Sequence, residues 1–214
     1  MAEVRGRIAA AAARAGRNPS EITLMAVTKL FPADTIRSAY ALGLRDFGEN
    51  YVQEFEGKAP HVGDLEDARF CLIGHLQSNK ARKAAELFDM VQTIDSAKLA
   101  RRLDEAGRAI DIMIEVKLSA EDAKSGAGAE GLPLLIDGIR ACRNLRLLGL
   151  MTMPPWCDDP EASRPYFRQL RQLAERHGLA QLSMGMSHDM ETAIEEGATC
   201  VRVGTALFGA RTRP

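Results

Sequence analysis

Short β-prone runs alternate with longer helix-prone stretches along almost the whole chain. This alternation constrains the fold more than any other feature of the sequence. The strand candidates are Leu24–Lys29, Asp46–Asn50, Phe70–Gly74, Met90–Asp95, Asp111–Leu118, Leu145–Met153, Gln181–Ser187 and Cys200–Phe208. The helix candidates between them are Ala33–Leu42, Tyr51–Lys58, Asn79–Phe88, Ser96–Ala106, Glu130–Cys142, Pro160–His177 and Asp189–Glu196, with one further helix, Ala2–Ala15, at the start. Gly43, Gly107, Gly178 and Gly197 stand where helices should stop, the usual place for a residue that adopts positive φ without strain. Two longer loops are expected, Ala59–Arg69 and Ser119–Ala129.

Eight strands, each but the last followed by a helix, fit either a closed (β/α)8 barrel or an open doubly wound sheet. The pattern favours the barrel, at the short end of its size range, and gives no reason to cut residues 1–214 into two domains. Both architectures collect functional groups at the carboxyl ends of their strands.

The bulk properties remove several function classes. The net charge is −1, from 28 basic and 29 acidic residues, so bulk electrostatics offer no nucleic acid or anionic membrane a hold. No run approaches the roughly 20 apolar residues of a membrane span. The opening MAEVRGRIAAAAARAGR lacks the compact apolar core of a secretory signal and suits an amphipathic helix better. Cys71, Cys142, Cys157 and Cys200 are far apart and form no CxxC pair. They read as reduced thiols of a cytoplasmic protein, and the scattered histidines show no metal-ligand spacing.

The polar residues at the strand ends carry the chemistry. LMAVTKLFP, residues 24–32, runs an apolar strand straight into Lys29. Lys29 is either a strand-end lysine reaching for water or a reactive amine on a rigid scaffold. Ser187 stands just ahead of a helix, as an N-cap or as one wall of an anion site. Gly204 and Thr205 follow the last strand, where a glycine lets a backbone amide approach an oxyanion. Arg202 shares a strand face with Gly204. It either forms a structural ion pair or meets a ligand. In a closed barrel the first and last strands adjoin, which brings Lys29 and Arg202 together. A desolvated lysine beside a cation has a lowered pKa and condenses with aldehydes. Lysine, phosphate cup and arginine together point to pyridoxal 5′-phosphate held as a Schiff base.

These residues sit in a set of motifs: AVTK (26–29), FGENYVQE (47–54), IGHLQSNK (73–80), KSG (124–126), GLMTM (149–153), SMGMSHDM (183–190) and VRVGTALFGAR (201–211). In this order and at this length, the set resembles the pyridoxal-phosphate homeostasis proteins, a family related to the N-terminal barrel of alanine racemases. The resemblance covers essentially the whole chain. It implies a fold-type III pyridoxal-phosphate barrel with an extra N-terminal helix and no C-terminal β-domain. Lys29 matches the family's Schiff-base lysine. Ser187, Gly204 and Thr205 match positions that hold the phosphate, and Arg202 matches the arginine facing the pyridine nitrogen. Asn50 matches the pocket wall, and Met151 is expected near the ring. His75 is placed either against the ring or at a helix cap, Gln77 to Asn79 in a loop, and Tyr51 in core or site alike. Lys124 is expected to be either a solvated loop residue or a second amine that accepts the cofactor during release.

Arginine keeps its proton. Opposite a pyridine nitrogen it holds that nitrogen unprotonated and weakens the ring as an electron sink, which suits a carrier or a racemase better than an aminotransferase. The expected function is therefore a non-catalytic carrier or buffer of pyridoxal phosphate in vitamin B6 homeostasis. The expected form is a cytoplasmic monomer, with apo forms of pyridoxal-phosphate enzymes as possible recipients. An amino-acid racemase is the alternative from a different class. It needs a second acid/base that Tyr40, Tyr51 and Tyr166 do not obviously supply. A sugar-phosphate, imine-forming barrel enzyme is a third reading.

Overall fold

Apolar residues dominate most of the short runs, and most of their length is buried, fully so over Met90–Ile94. Strands of this kind assemble in parallel, with helices covering the outside. In the computed structural model, which describes residues 1–119 and 126–209, they form one sheet of nine strands. The strands are β1 (Thr23–Val27), β2 (Asp46–Glu49), β3 (Arg69–Leu72), β4 (Met90–Ile94), β5 (Ile110–Lys117), β6 (Ala127–Gly128), β7 (Leu145–Met151), β8 (Gln181–Met186) and β9 (Cys200–Val203). Among the described residues, β6 pairs with β5 alone. The other eight pair with their neighbours in chain order, and β1 pairs with β9 to close the ring. All pairings are parallel. The closed barrel is thus the architecture, and the open sheet is excluded.

Helices α1 (Ala2–Arg14), α2 (Ala33–Ala41), α3 (Val52–Lys58), α4 (Ala81–Leu87), α5 (Ala97–Asp104), α6 (Leu132–Arg140), α7 (Arg164–His177) and α8 (Met190–Glu195) surround the barrel. The larger core lies between strands and helices and includes Ile36, Phe47, Phe55, Phe88, Leu99 and Phe167. A smaller cluster of Met25, Val27, Cys71, Ile73, Met90, Met113, Met151 and Cys200 fills the barrel interior, as inward-pointing layers do in such barrels. Gly48 is tightly enclosed there: a Cβ would lie 2.9 Å from Ile73 Cδ1 and 3.0 Å from Met25 Sδ, so those side chains would have to shift.

Several sequence expectations change at the strand ends. The last strand stops at Val203, not Phe208, and Thr205–Phe208 forms a short helix, α9. The last strand is therefore followed by a helix after all. Gly204 leaves the extended conformation, at φ −116° and ψ −74°, and the backbone turns there. β1 likewise ends at Val27, and Lys29 lies in the turn that follows. The loop over 59–69 contains a 3₁₀ turn, Ala59–His61, and the loop over 119–129 contains β6. Lys124 lies outside the described residues.

The N-terminal helix packs Val4, Ile8, Ala11 and Ala12 inward and lies along α8. Arginines fasten the pair: Arg7 Nε meets Glu191 at 2.6 Å and Arg14 Nε meets Glu195 at 2.7 Å. Arg164 of α7 adds bonds to Glu161, Glu195 and Glu196. Hydrogen bonds from Arg164 and Arg14 hold the Glu195 carboxyl below its ordinary value of 4.5, and Arg164 does the same for Glu161. Depressed carboxylates stabilise the fold above their ordinary value, and that contribution is lost as pH falls through their folded values. The midpoint of thermal unfolding is therefore expected to drop as pH goes below about 4.5, and an Arg164→Ala variant should show a shallower drop. Equal slopes in the two proteins would count against this brace.

Candidate functional site

The carboxyl ends of β1, β2, β8 and β9 open into one cleft of about 530 Å³. Lys29, Asn50, Ser187, Arg202, Gly204 and Thr205 all line it. Six of the seven residues singled out in the sequence thus meet in one place. The seventh, Met151, does not line the cleft. It is fully buried in the barrel interior, and Met153, two residues on and past the end of β7, reaches the cleft wall.

Lys29 is half-buried, in a turn completed by Leu30 at φ +64°. A tilted ring pair, Phe31 on Phe208 with centroids 5.3 Å apart, fastens the segment after Lys29 to α9. This contact sets the lysine turn beside Gly204 and Thr205. The Ser187 hydroxyl accepts a bond from the Ala206 amide at 3.2 Å, so the strand ends of β8 and β9 converge through a polar contact. Arg7 reaches the same point from the N-terminal helix: its Nη2 donates to the Ser187 carbonyl at 3.1 Å and to Glu191 Oε2 at 2.9 Å, while its Nε holds Glu191 Oε1. Sequence reading gave Arg7 no role, because the contact joins residues 180 positions apart. Arg7→Ala is expected to weaken binding of a phosphate-bearing ligand roughly threefold to tenfold, the scale of one lost charge-assisted bond. Titration by fluorescence or calorimetry checks it.

Arg202 is buried, with two fixed partners. Nη1 donates to Ser183 Oγ at 2.7 Å and Nη2 to the Thr152 carbonyl at 2.9 Å. Ser183 Oγ in turn donates to Gln92 Oε1 at 2.6 Å, across the barrel. No ion pair accounts for the guanidinium among the described residues, so of the two sequence readings the structural ion pair is not the one seen. Burial lowers the Arg202 pKa, against the opposing pull of Cys200, Asp189 and Glu115. A guanidinium starts so high that it remains charged. The cleft therefore contains a permanent cation with a fixed orientation.

Two residues that the sequence did not single out complete the wall. Trp156 lies over His188 with ring centroids 4.7 Å apart, and both line the cleft. The imidazole Nε2 of His188 is buried without a hydrogen-bond partner among the described residues. Such an atom is costly unless a ligand or water satisfies it. Trp156 is the single tryptophan of the chain, placed just past a strand end, and that position was the available signal.

His75 is exposed, with Nδ1 3.8 Å from Asp95, and lines a neighbouring cleft with Glu115 and Lys117. Among the described residues it caps no helix, and it does not line the Lys29 cleft. Gln77 is exposed and precedes a 3₁₀ turn, Ser78–Lys80. Tyr51 is 53% exposed, which makes it neither core nor wall.

The donor set suits an anionic, aldehyde-bearing aromatic ligand. There is a primary amine at Lys29, a hydroxyl and amide cluster at Ser187, Thr205 and Ala206, and a fixed cation at Arg202. The unsatisfied His188 Nε2 adds a polar atom that awaits a partner.

Comparison with known proteins decides the relationship. The model of the family described as "Alanine racemase, N-terminal domain" matches residues 2–212. A pyridoxal phosphate homeostasis protein of Pseudomonas aeruginosa is 46% identical over 99% of this chain and 94% of its own length. The chain belongs to the pyridoxal phosphate homeostasis protein family, built on the alanine racemase N-terminal domain. A member from Escherichia coli K12 is 43% identical over 99% of this chain and 95% of its own length. Among solved structures, PipY of Synechococcus elongatus with PLP bound superposes with a TM-score of 0.83 at 40% identity, covering 94% of this chain and all of that one. The same protein without PLP gives 0.84 at 39%, with 96% and 99% covered. Alanine racemase from Clostridium difficile shares the fold alone, with a TM-score of 0.73 at 11% identity over 98% of this chain and 57% of the racemase chain.

Proposed function

We propose that this chain holds pyridoxal 5′-phosphate in the Lys29 cleft, by a Schiff base to the Lys29 amine, and serves the cell's supply of that cofactor without turning over a substrate. The observation that carries the proposal is the convergence of Lys29, Ser187, Arg202, Gly204 and Thr205 on one cleft. When bound, the cofactor supplies an aldehyde that condenses with a primary amine and a pyridine ring that withdraws electrons.

The residues divide the work. Lys29 provides the amine. Ser187, Thr205 and the backbone at Gly204 hold the phosphate. Asn50 forms the wall on the β2 side, and Trp156 with His188 covers the opposite side. Arg202, pinned by Ser183 and Thr152, would face the pyridine nitrogen of a bound cofactor and keep its own proton there. Arginine there would leave the ring nitrogen unprotonated and the ring's withdrawing power low. That disfavours aminotransferase chemistry and is compatible with storage and transfer.

The names of the relatives support the same reading. So does the bound PLP of PipY, at 40% identity. The racemase alternative rests on shared architecture at 11% identity. The proposed form is a monomer acting as one domain over residues 1–214. The unpaired cysteines support a cytoplasmic setting. Apo forms of pyridoxal-phosphate enzymes are the proposed recipients.

The test is titration of the purified protein with pyridoxal 5′-phosphate, followed by racemase and transaminase assays and by transfer to an apoenzyme. Stoichiometric uptake, transfer and no turnover are expected. Steady racemisation of alanine by the loaded protein would move the racemase reading to the front.

A further inference from the structure

Beneath the Lys29 turn lies a buried charged cluster that the cofactor reading does not use. Lys58, the last residue of α3, places its ammonium 2.9 Å from the Thr28 carbonyl, 2.9 Å from Glu49 Oε1 and 2.6 Å from Glu54 Oε1. An ammonium has three protons to donate, so these three acceptors saturate it. Glu49 is fully buried at the end of β2 and also accepts from the Thr28 hydroxyl at 2.7 Å. Glu54 accepts from the Leu30 amide at 2.6 Å.

These contacts grip the chain on both sides of Lys29. The residue before it is held by carbonyl and hydroxyl, and the residue after it by its amide. Leu30 needs such a grip. It sits at φ +64°, a left-handed conformation that costs a non-glycine residue on the order of 1 kcal/mol or more. Its side chain is 65% exposed, so packing does little to offset that cost. A buried ammonium between two carboxylates is itself expensive to assemble, and its retention as a bare stability device is poorly motivated.

We infer that Glu49, Glu54 and Lys58 are positioning residues: they clamp the Thr28–Leu30 backbone and thereby aim the Lys29 amine into the cleft. The inference rests on the cofactor reading above. The step it serves is balanced: the Lys29 nitrogen adds to the aldehyde carbon, a C=N bond forms and one water leaves. The cluster takes no part in that exchange. It sets how often the amine is in reach, and a displacement of about 1 Å at a reacting group is enough to cost on the order of 100-fold in rate.

Glu54→Ala tests this directly. It removes the grip on Leu30 at a position with 22% side-chain exposure and leaves the Lys58–Glu49 pair in place. Two quantities are read on the folded variant: the rate of borohydride-trapped adduct formation at Lys29 with pyridoxal 5′-phosphate, and the affinity for pyridoxine 5′-phosphate, which lacks the aldehyde. The expected result is capture slowed about tenfold or more, with affinity for the non-aldehyde ligand unchanged. Adding Leu30→Gly in the same background should restore part of the rate, because glycine adopts the left-handed turn without a clamp. Lys58→Met, which removes the grip on the Thr28 carbonyl, should show the same split between capture and affinity. Unchanged capture in Glu54→Ala overturns the inference. So does a parallel loss of pyridoxine phosphate binding, or capture that stays slow in the double variant. Failure of the wild-type protein to form any adduct would instead sink the cofactor reading, so the two failures are distinguishable.

Discussion

Lys29→Ala abolishes the visible absorbance that pyridoxal 5′-phosphate acquires on covalent attachment and leaves a weak complex that washes away. The effect is large because Lys29 is the lysine that lines the cleft; Lys58, close in sequence, is committed to Thr28, Glu49 and Glu54. The contacts proposed for the phosphate, at Ser187, Gly204 and Thr205, survive the change, so some reversible binding remains. An affinity loss of about 100-fold or more is expected, equivalent to about 2.7 kcal/mol. Fold stability should move little, since Lys29 is half-buried at a turn, where substitutions usually stay within about 0.5 kcal/mol. Absorbance after gel filtration and a thermal melt measure both. A yellow protein after gel filtration of the variant would contradict the assignment.

Arg202→Leu acts on fold and site together. The guanidinium is buried, and its removal strips Ser183 Oγ and the Thr152 carbonyl of their donors. Leaving such acceptors unpaired costs about 1–3 kcal/mol each, so a stability loss of about 3 kcal/mol is expected, readable in denaturant unfolding. The ligand loses its fixed cation as well, and the absorbance of bound cofactor should shift because the donor opposite the ring nitrogen is gone. Arg202→Lys is the informative partner. It keeps the charge but not the planar fork, so it should recover part of the stability while the spectrum stays displaced. A spectrum in Arg202→Leu indistinguishable from that of the parent would mean that Arg202 faces something other than the ring.

The alternation of strand and helix made the barrel legible from sequence. Parallel strands buried on both faces leave long apolar runs, and the glycines at Gly43, Gly107, Gly178 and Gly197 all adopt positive φ where helices end. The ends of strands were less legible. Thr205–Phe208 has the composition of a strand continuation, yet it coils into α9, because Gly204 releases the backbone. The same limit displaced Met151. Its apolar character suits a ring contact, but Met151 and Met153 fall on one face of the alternation, and the one that reaches the cleft is set by where β7 ends, at Met151, which the closed sheet decides.

The cleft itself was readable because its residues fall at strand ends, which the barrel gathers on one face. What supports them was not. Glu49 and Glu54 belong to the FGENYVQE motif, but their task appears only once β1, β2 and α3 are packed and Lys58 is seen between them. Ser183 and Gln92 are buried polar residues from opposite sides of the barrel, and Arg7 acts on Ser187 from the first helix. Interactions of this kind join distant positions through geometry and leave no periodic trace along the chain.

The most direct test of the central claim is borohydride reduction of wild-type protein loaded with pyridoxal 5′-phosphate, followed by peptide mass mapping. The account predicts one dominant phosphopyridoxyl adduct, on Lys29. An adduct spread over surface lysines, or centred on a lysine outside the cleft, would contradict it.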